Sequence, residues 1–582
     1  MRRALPISVA AGLATLVVGG GAWIPACAQP SGAVERRFTD QQLRDELKQL
    51  QRQQERLDQE PLLRSPTPQP NRDGGEEGSK GVTKLQTIEF TGSEALAGSL
   101  QDKIQTVFLG RSITPALLSE LRQALASAYE QQRLLALVAP PEQISPGVVR
   151  VQILEARLGA VEVESNASAI RSGWAIAMVQ SSLKPGSVIR LDKLESALIK
   201  LNDLAGLKAT ATLRPGRATG LSNVLLTLDD RKRWNTLLNV NNELSQYTGV
   251  AQLEGLSSGA SLLGRGDQWS LNYALGGDET GYGVRRLLGS LDLPVTADGM
   301  RFLGSLGWSD YRLLEELASD DLKGSFRSFN VGLRQPLWRR PKKSVFAQLG
   351  YDQYRGQDWV LGEEYSNRVN HAARGTAVVT QQDKFLGSGI NSAVLIGSVG
   401  YLDKSANAFE QAVDQALAQT AGTWGKLQLI ATRLQLFKDS PYSFEIFAQG
   451  QKAFNNLGSE EKFSLGWPNG VRAYPPGEAA GDSGASLQLT LRRQLGARWT
   501  AKAFVDGAYV WRWTEWIFEV PQPGSFGLWG PGLGLDYGEY GKAMVSVNVG
   551  FPIGENPNLP TGYDADGLNP SVRVWLSGKV WL

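Results

Sequence analysis

The chain of 582 residues contains one cysteine, Cys27, and one histidine, His371. Zinc and iron–sulfur centres are built from clusters of these two residue types, so no metal site of that kind and no cofactor is expected. An excess of either charge is also missing. Sixty basic residues stand against 58 acidic ones, which gives no electrostatic reason for a nucleic-acid partner. Beyond the first residues there is no run of 18 apolar residues, so no transmembrane helix is expected there. Nucleotide signatures are missing too. Gly422-Thr-Trp-Gly-Lys-Leu lacks P-loop spacing, and Gly530-Pro-Gly-Leu-Gly534 lies among strand-like residues with no helix to follow.

What is present is glycine, at 65 residues, and tryptophan, at 16, a mixture suited to many strands and tight turns. The first residues read as an export signal. Arg2 and Arg3 precede the apolar stretch Ala10 to Val18, and Ala26-Cys27-Ala28 fits a cleavage site. Residues 1–28 would be removed and the mature chain would start at Gln29. An exported chain without a membrane helix is either soluble or a β-barrel. Residues 29–60 carry Leu43, Leu47, Leu50 and Leu57 at helical spacing among charged residues, which predicts a thinly apolar helix. Residues 61–82, rich in Pro, Gly and charge, read as a linker.

Two similar units follow, at 83–158 and 159–232. Each reads β-α-α-β-β. In the first, Leu85–Phe90 is strand-like, Thr114 caps a helix that opens on Pro115, and VVRVQILEA alternates as a strand. In the second, helices are expected near 170–181 and 191–201, and strands at 207–213 and 223–228. A small three-stranded sheet with helices on one face leaves an open edge strand, onto which an extended guest chain can add.

From 233 to 582 helical periodicity gives way to alternation. Leu487, Leu489 and Leu491 alternate with Gln488 and Thr490, and Val545, Val547 and Val549 with Ser546 and Asn548. About sixteen strands can be drawn, eleven before the stretch GVRAYPPGEAAGDSG (470–484) and five after it. Tight connections are expected near 264–266, 340–342, 496–498 and 537–541. Long ones are expected near 355–372, 402–423, 458–484, 513–524 and 553–570. Short turns at one end and long loops at the other are the signature of an outer-membrane barrel.

Two chemistries compete for residues 470–484. Gly481-Asp482-Ser483-Gly484 matches the surroundings of a serine-protease nucleophile, and His371 precedes it in the order that the chymotrypsin fold uses, so a hydrolase built on Ser483 and His371 is one reading. Gly255-Leu-Ser257-Ser-Gly259 matches a nucleophile elbow, but in a strand context. A lone histidine in an expected loop, at 370–374, is a weak base for either. In the other reading the loop folds into a barrel. Arg472 would then be partly desolvated and would need an anion. Along 503–511 the residues Ala503, Val505, Tyr509 and Trp511 share an apolar face, which turns Asp506 toward the bore, where a carboxylate is tolerated as part of a wet wall.

The order of these pieces resembles the outer-membrane transporters of two-partner secretion, the TpsB family of haemolysin secretion/activation proteins (ShlB/FhaC/HecB type). Pro141-Glu142-Gln143 and Gly147 with the strand after it resemble that family's first POTRA domain. Asn202-Asp203-Leu204, Gly206 and Pro215-Gly216 resemble its second. Val471, Arg472, Tyr474, Gly481, Asp482 and Gly484 match the family's V-R-G-Y…G-D-x-G loop, with Ala473 in place of the usual glycine. Phe504 and Asp506 match the wall motif F-x-D-x-G, with the glycine moved to 507. The resemblance implies a transmembrane antiparallel β-barrel of about 16 strands at 233–582, preceded by two POTRA domains and an N-terminal helix that plugs the pore, and carrying a long inward-folding loop at 458–484. It implies Arg472 paired with Asp506, no catalysis, and export without nucleotide hydrolysis. The implied partners are a large unfolded exoprotein of TpsA type, outer-membrane lipid, and the barrel-assembly machinery during biogenesis. A related barrel that inserts other barrels into the membrane is the alternative.

Overall fold

The computed structural model describes Leu63, Arg64 and residues 83–468, 470–515 and 523–582. The expected leader, the helix at 29–60 and nearly all of the linker lie outside the described residues. β1 (Leu63–Arg64) comes from that linker.

The first unit runs β2 (Thr87–Thr91), α1 (Gly98–Phe108), α2 (Pro115–Gln131), β3 (Ala136–Val138), β4 (Glu142–Ser145) and β5 (Val148–Glu155). α2 starts where the sequence requires. Thr114 Oγ1 accepts the Leu117 amide at 3.1 Å, and Pro115 occupies the first turn, where no amide donor is needed. Leu117, Leu121, Leu125 and Ala128 recur along one face and are buried against Val149, Val151 and Ile153, the alternate residues of β5. Each of the Leu, Val and Ile side chains contributes about 1.5–3 kcal/mol by leaving water. β5 lies between β2, which is parallel to it, and the antiparallel β3 and β4.

The second unit has β6 (Arg157–Ala167), α3 (Ser172–Ser182), α4 (Leu191–Asn202), β7 (Leu207–Pro215) and β8 (Leu221–Asp230). Its sheet order is β1-β7-β8-β6. One edge of this sheet, β7, is therefore paired: Leu63 and Arg64 lie parallel to Ala211 and Thr212. A sequence reading has no periodicity to work with in two residues of a Pro-rich segment.

The remaining strands form a closed barrel. They are β9 (Trp234–Asn241), β10 (Ala251–Ala260), β11 (Gln268–Asp278), β12 (Gly281–Pro294), β13 (Arg301–Arg312), β14 (Lys323–Arg340), β15 (Lys343–Val360), β16 (Glu363–Asp383), β17 (Gly387–Asp403), β18 (Gly422–Phe437) and β19 (Tyr442–Ala453). The two-residue strands β20 (Phe463–Ser464) and β21 (Ala480–Gly481) pair with each other inside the connection that follows. The wall then resumes with β22 (Ser483–Gln494), β23 (Trp499–Trp511), β24 (Ser525–Glu539), β25 (Ala543–Gly550) and β26 (Arg573–Trp581). Sixteen strands pair antiparallel with their neighbours, and β26 closes the ring on β9. Eleven precede the lumen loop and five follow it.

Alternation sorts the two faces. Leu306, Leu349, Val399, Leu429, Val505 and Leu533 are exposed outward, whereas Asn370, Thr380, Lys426, Gln488 and Asp506 are buried inward. Among the described residues no helix is long and apolar enough to cross a membrane. One expected loop is absent. Residues 355–372 belong to β15 and β16, joined by a turn at Leu361–Gly362 with φ of 50° and 85°. β16 spans 21 residues, about twice what a tilted strand needs to cross the bilayer. Its outer part buries the polar Ser366, Asn367, Arg368 and Asn370, so the apolar alternation that marks a strand is missing there. The long connections at 402–423, 458–484, 513–524 and 553–570 lie between strands as expected, and α5 (Ala408–Ala416) forms in the first of them.

Candidate functional site

The connection between β19 and β22 folds back into the bore. Its tip carries Arg472, 8% exposed. The Arg472 guanidinium donates from Nη2 to Asp506 Oδ1 at 2.6 Å and from Nε to Asp506 Oδ2 at 2.7 Å, and its backbone amide donates to the same Oδ2 at 3.0 Å. Nη2 also donates to Thr490 Oγ1 at 2.9 Å. The Phe504 ring lies under the guanidinium carbon at 3.8 Å. Asp506 is fully buried and stands on β23, in the inward register that strand parity predicts. A forked cation meeting a fixed carboxylate holds orientation as well as position.

Val471 and Tyr474 flank Arg472 and bury their apolar parts with Leu465, Ala473, Val510 and Leu528. Tyr474 Oη donates to the Gly554 carbonyl at 2.7 Å. The Trp575 indole donates to the Arg472 carbonyl at 2.6 Å and stacks on Trp467. The tip thus touches β22, β23, β26 and the loop before β26. Ala473 replaces the family's glycine without a left-handed backbone. Room for its methyl group comes from the wall, where a Cβ on Gly530 would lie 2.4 Å from the Ala473 Cβ.

Asp482 is not part of the arginine pair. Its Oδ1 accepts from Lys462 Nζ at 2.5 Å and from the Leu457 amide at 3.1 Å, and its Oδ2 accepts from the Thr514 amide at 2.8 Å. It ties the two limbs of the loop together. At Gly484 a Cβ would meet the Phe463 ring at 2.2 Å, and at Gly481 it would meet the Trp511 carbonyl at 2.4 Å. Both glycines permit close approach.

The hydrolase geometry is not met. Ser483 Oγ accepts the Ala453 amide inside the wall. His371 lies on β16, not in a loop, hydrogen-bonded to Tyr351 and paired across the sheet with the outward Tyr401. Ser483 on β22 and His371 on β16 are held apart by three wall strands, β17, β18 and β19. Ser257 lies within β10, without the turn and helix that a nucleophile elbow needs.

The matching residues of the two α/β units are structural. Pro141 is buried, Glu142 and Gln143 lie exposed on β4, and the Gly147 carbonyl accepts the Gln86 amide at 2.7 Å. Asn202 Nδ2 donates to the Leu198 and Ala209 carbonyls, while its Oδ1 accepts the Ala209 amide at 3.0 Å, joining α4 to β7. Pro215 ends β7, and the Gly216 amide donates to the Leu221 carbonyl at 2.8 Å. Asp203 reaches the barrel. It accepts a forked pair of hydrogen bonds from Arg339 at 2.5 and 2.6 Å. Leu204 packs where a Cβ on Gly266 would clash at 2.5 Å, and Gly206, with φ of 76°, accepts the Arg231 amide.

Sequence reasoning missed a second charged cluster. Glu460 and Glu461, at the stem of the loop, are held by Arg368, Arg374 and Lys426 of β16 and β18. A signal existed: Arg368, Asn370, Ala372 and Arg374 have the same parity and so face the bore, and two adjacent glutamates stand at the start of the loop that folds into it. Glu478 was missed as well. It is fully buried, and its Oε2 accepts the Ala565 amide at 2.8 Å. Burial, and then the Asp564 carboxylate, push its carboxyl up to about 8.

Comparison with known proteins places this geometry in a family. The family model for haemolysin secretion/activation proteins ShlB/FhaC/HecB matches residues 220–537. The heme/hemopexin transporter protein HuxB of Haemophilus influenzae is 23% identical over 488 residues, covering 82% of this chain and 84% of HuxB. The outer membrane transporter CdiB of Escherichia coli is 24% identical over 547 residues, 89% of this chain and 87% of CdiB. A solved structure of CdiB from Escherichia coli superposes with a TM-score of 0.73 at 20% identity, covering 94% of this chain and 98% of that one. With its sixteen-strand barrel and its pinned lumen loop, this chain belongs to the ShlB/FhaC/HecB family of haemolysin secretion/activation proteins.

Proposed function

We propose that this chain is an outer-membrane transporter of two-partner secretion that carries an unfolded exoprotein from the periplasm through its bore, with Arg472 and Asp506 holding the lumen loop at rest. One observation carries the reading: a closed barrel, apolar outside and polar inside, whose bore is crossed by a loop with its tip pinned through a forked ion pair. A wet bore accepts a polar main chain, and a loop held at its tip by one side chain can be released and reset. The units at 83–158 and 159–232 act as POTRA domains at the mouth. The second is fastened to the β14–β15 turn region through Asp203 and Arg339. An extended cargo segment adds as a strand to a sheet edge, which supplies main-chain hydrogen bonds with little demand on sequence. At β7 it would compete with Leu63–Arg64. No nucleotide-binding motif is present in the sequence, so folding of the cargo outside supplies the direction of travel.

The experiment co-expresses the chain in a Gram-negative host with a large exported protein of TpsA type from the same genome and measures cargo in the medium. Arg472→Asp and Asp506→Arg each lower export, and the two together restore it. Single variants that export normally, or a reversed pair without recovery, would remove the ion pair from the mechanism. An unaltered chain that releases no cargo would remove the exporter reading itself.

A further inference from the structure

The lumen loop is held at two places, and the two are unlike. At the tip one cation meets one carboxylate. At the stem Glu461 Oε1 accepts from Arg374 Nη2 at 2.7 Å and from Tyr354 Oη and Asn370 Nδ2 at 3.1 Å each. Its Oε2 stands 2.7 Å from Lys426 Nζ, and its main-chain carbonyl accepts from Lys426 Nζ at 2.9 Å and from Gln451 Nε2 at 2.8 Å. Glu460 is bound by Arg368, which also donates to Asp358 at 2.9 Å. Exposure of Glu460, Glu461, Arg368 and Lys426 is 7%, 4%, 1% and 5%. Burial by itself would raise the carboxyl of Glu461. The Arg374 and Lys426 charges overcome that and hold it well below the usual range. Beside this cluster Leu457 packs with Ala372, Leu402 and Trp424.

Undocking the tip separates one ion pair. Undocking the stem would take two buried carboxylates away from three cations, of which Arg368 keeps Asp358 and Arg374 keeps Asp352, and a buried charge parted from its partner is strongly unfavourable. The stem also sits on β15–β18, strands that the tip does not touch. We propose that Glu460 and Glu461 are positioning residues of the export pore: with Arg368, Arg374 and Lys426 they form a stem clamp that stays closed while cargo passes, so that only the part of the loop beyond it moves. This rests on the exporter reading given above.

The test uses the full chain with Cys27→Ala and a cysteine pair across the stem, Gly458→Cys with Leu402→Cys. A Cβ at 458 would lie 2.8 Å from the Leu402 side chain. The pair is expected to cross-link under mild oxidant, and the cross-linked chain is expected to export cargo at the undisturbed rate. Failure to cross-link, or a block that reductant relieves, would overturn the clamp. A second measurement separates positioning from folding. Glu460→Gln with Glu461→Gln should leave a barrel that still shifts on a semi-native gel, yet raise resting conductance in planar bilayers severalfold, and Glu460→Asp with Glu461→Asp should bring it back down. Unchanged conductance in the Gln variant, or no shift on the gel, would overturn it. Absence of export from the Cys27→Ala parent would instead strike the exporter reading.

Discussion

The two α/β units and the barrel treat the same residue types in opposite ways. In the units Leu121, Leu125, Leu158 and Leu198 are fully buried, while the charged pairs Arg111–Glu120 and Arg150–Glu89 lie at the surface. In the barrel Asp506, Lys426, Gln488 and Arg368 are buried, and Leu306, Leu349 and Val399 are exposed. The difference teaches that inside and outside are set by the solvent on each side of the wall. The units hide carbon from water in closed cores. The barrel meets lipid outside, so its polar groups turn inward and must find each other there.

That contrast can be broken at chosen positions. The largest effect is expected from Leu121→Ala in the first unit, which removes a fully buried side chain from a closed core and costs about 2–5 kcal/mol. Hydrogen exchange should show weakened protection across 83–158 while the barrel strands keep theirs. Equal loss in both regions would mean that they do not unfold separately. Next is Val505→Arg on the outward face of β23, expected to cost about 2–4 kcal/mol near the bilayer midplane. Reversible folding into bilayers under urea measures it, and a neutral result would place that face in water. The smallest effect sharpens the contrast inside the bore. Glu478 is buried beside Asp564 and Asp566, which Arg573 binds, and its Oε1 has no hydrogen-bond partner among the described residues. Its carboxyl value in the docked loop, about 8, lies above the ordinary glutamate value, so the docked state keeps a proton that the released loop gives up. Docking should therefore weaken as pH rises from the ordinary glutamate range to about 8 and level off beyond. Spin-label mobility at the neighbouring Gly477 reads this out, and Glu478→Gln should flatten the profile.

Much of this was legible in the chain. Thr114 and Pro115 mark the start of α2 without reference to anything distant, because capping is local. The alternation at 485–492 and 543–550 marks wall strands because pleating has a period of two. Asp506 could be turned inward by parity alone. Residues 355–372 were misread because β15 and β16 run on past the lipid, where neither face has to be apolar. The edge partner of β7 was missed because two residues carry no period. The stem cluster was missed although its parts were visible, because nothing in a run of sequence says that Glu461 meets Arg374 and Lys426.

By itself the sequence determined which side chains share a face wherever a strand alternates, where the eleven and five strands divide, and that Arg472 needs an anion once its loop enters the bore. These follow from periods of two and 3.6 residues and from the cost of burying a charge, which act within a few residues of chain. Only the tertiary structure decided what meets across the bore, Arg472 with Asp506 and Glu460 and Glu461 with β16 and β18, and that Asp203 of the second unit meets Arg339 of the barrel 136 residues away. Closure of the barrel sets those distances, and closure depends on the register of all sixteen strands at once.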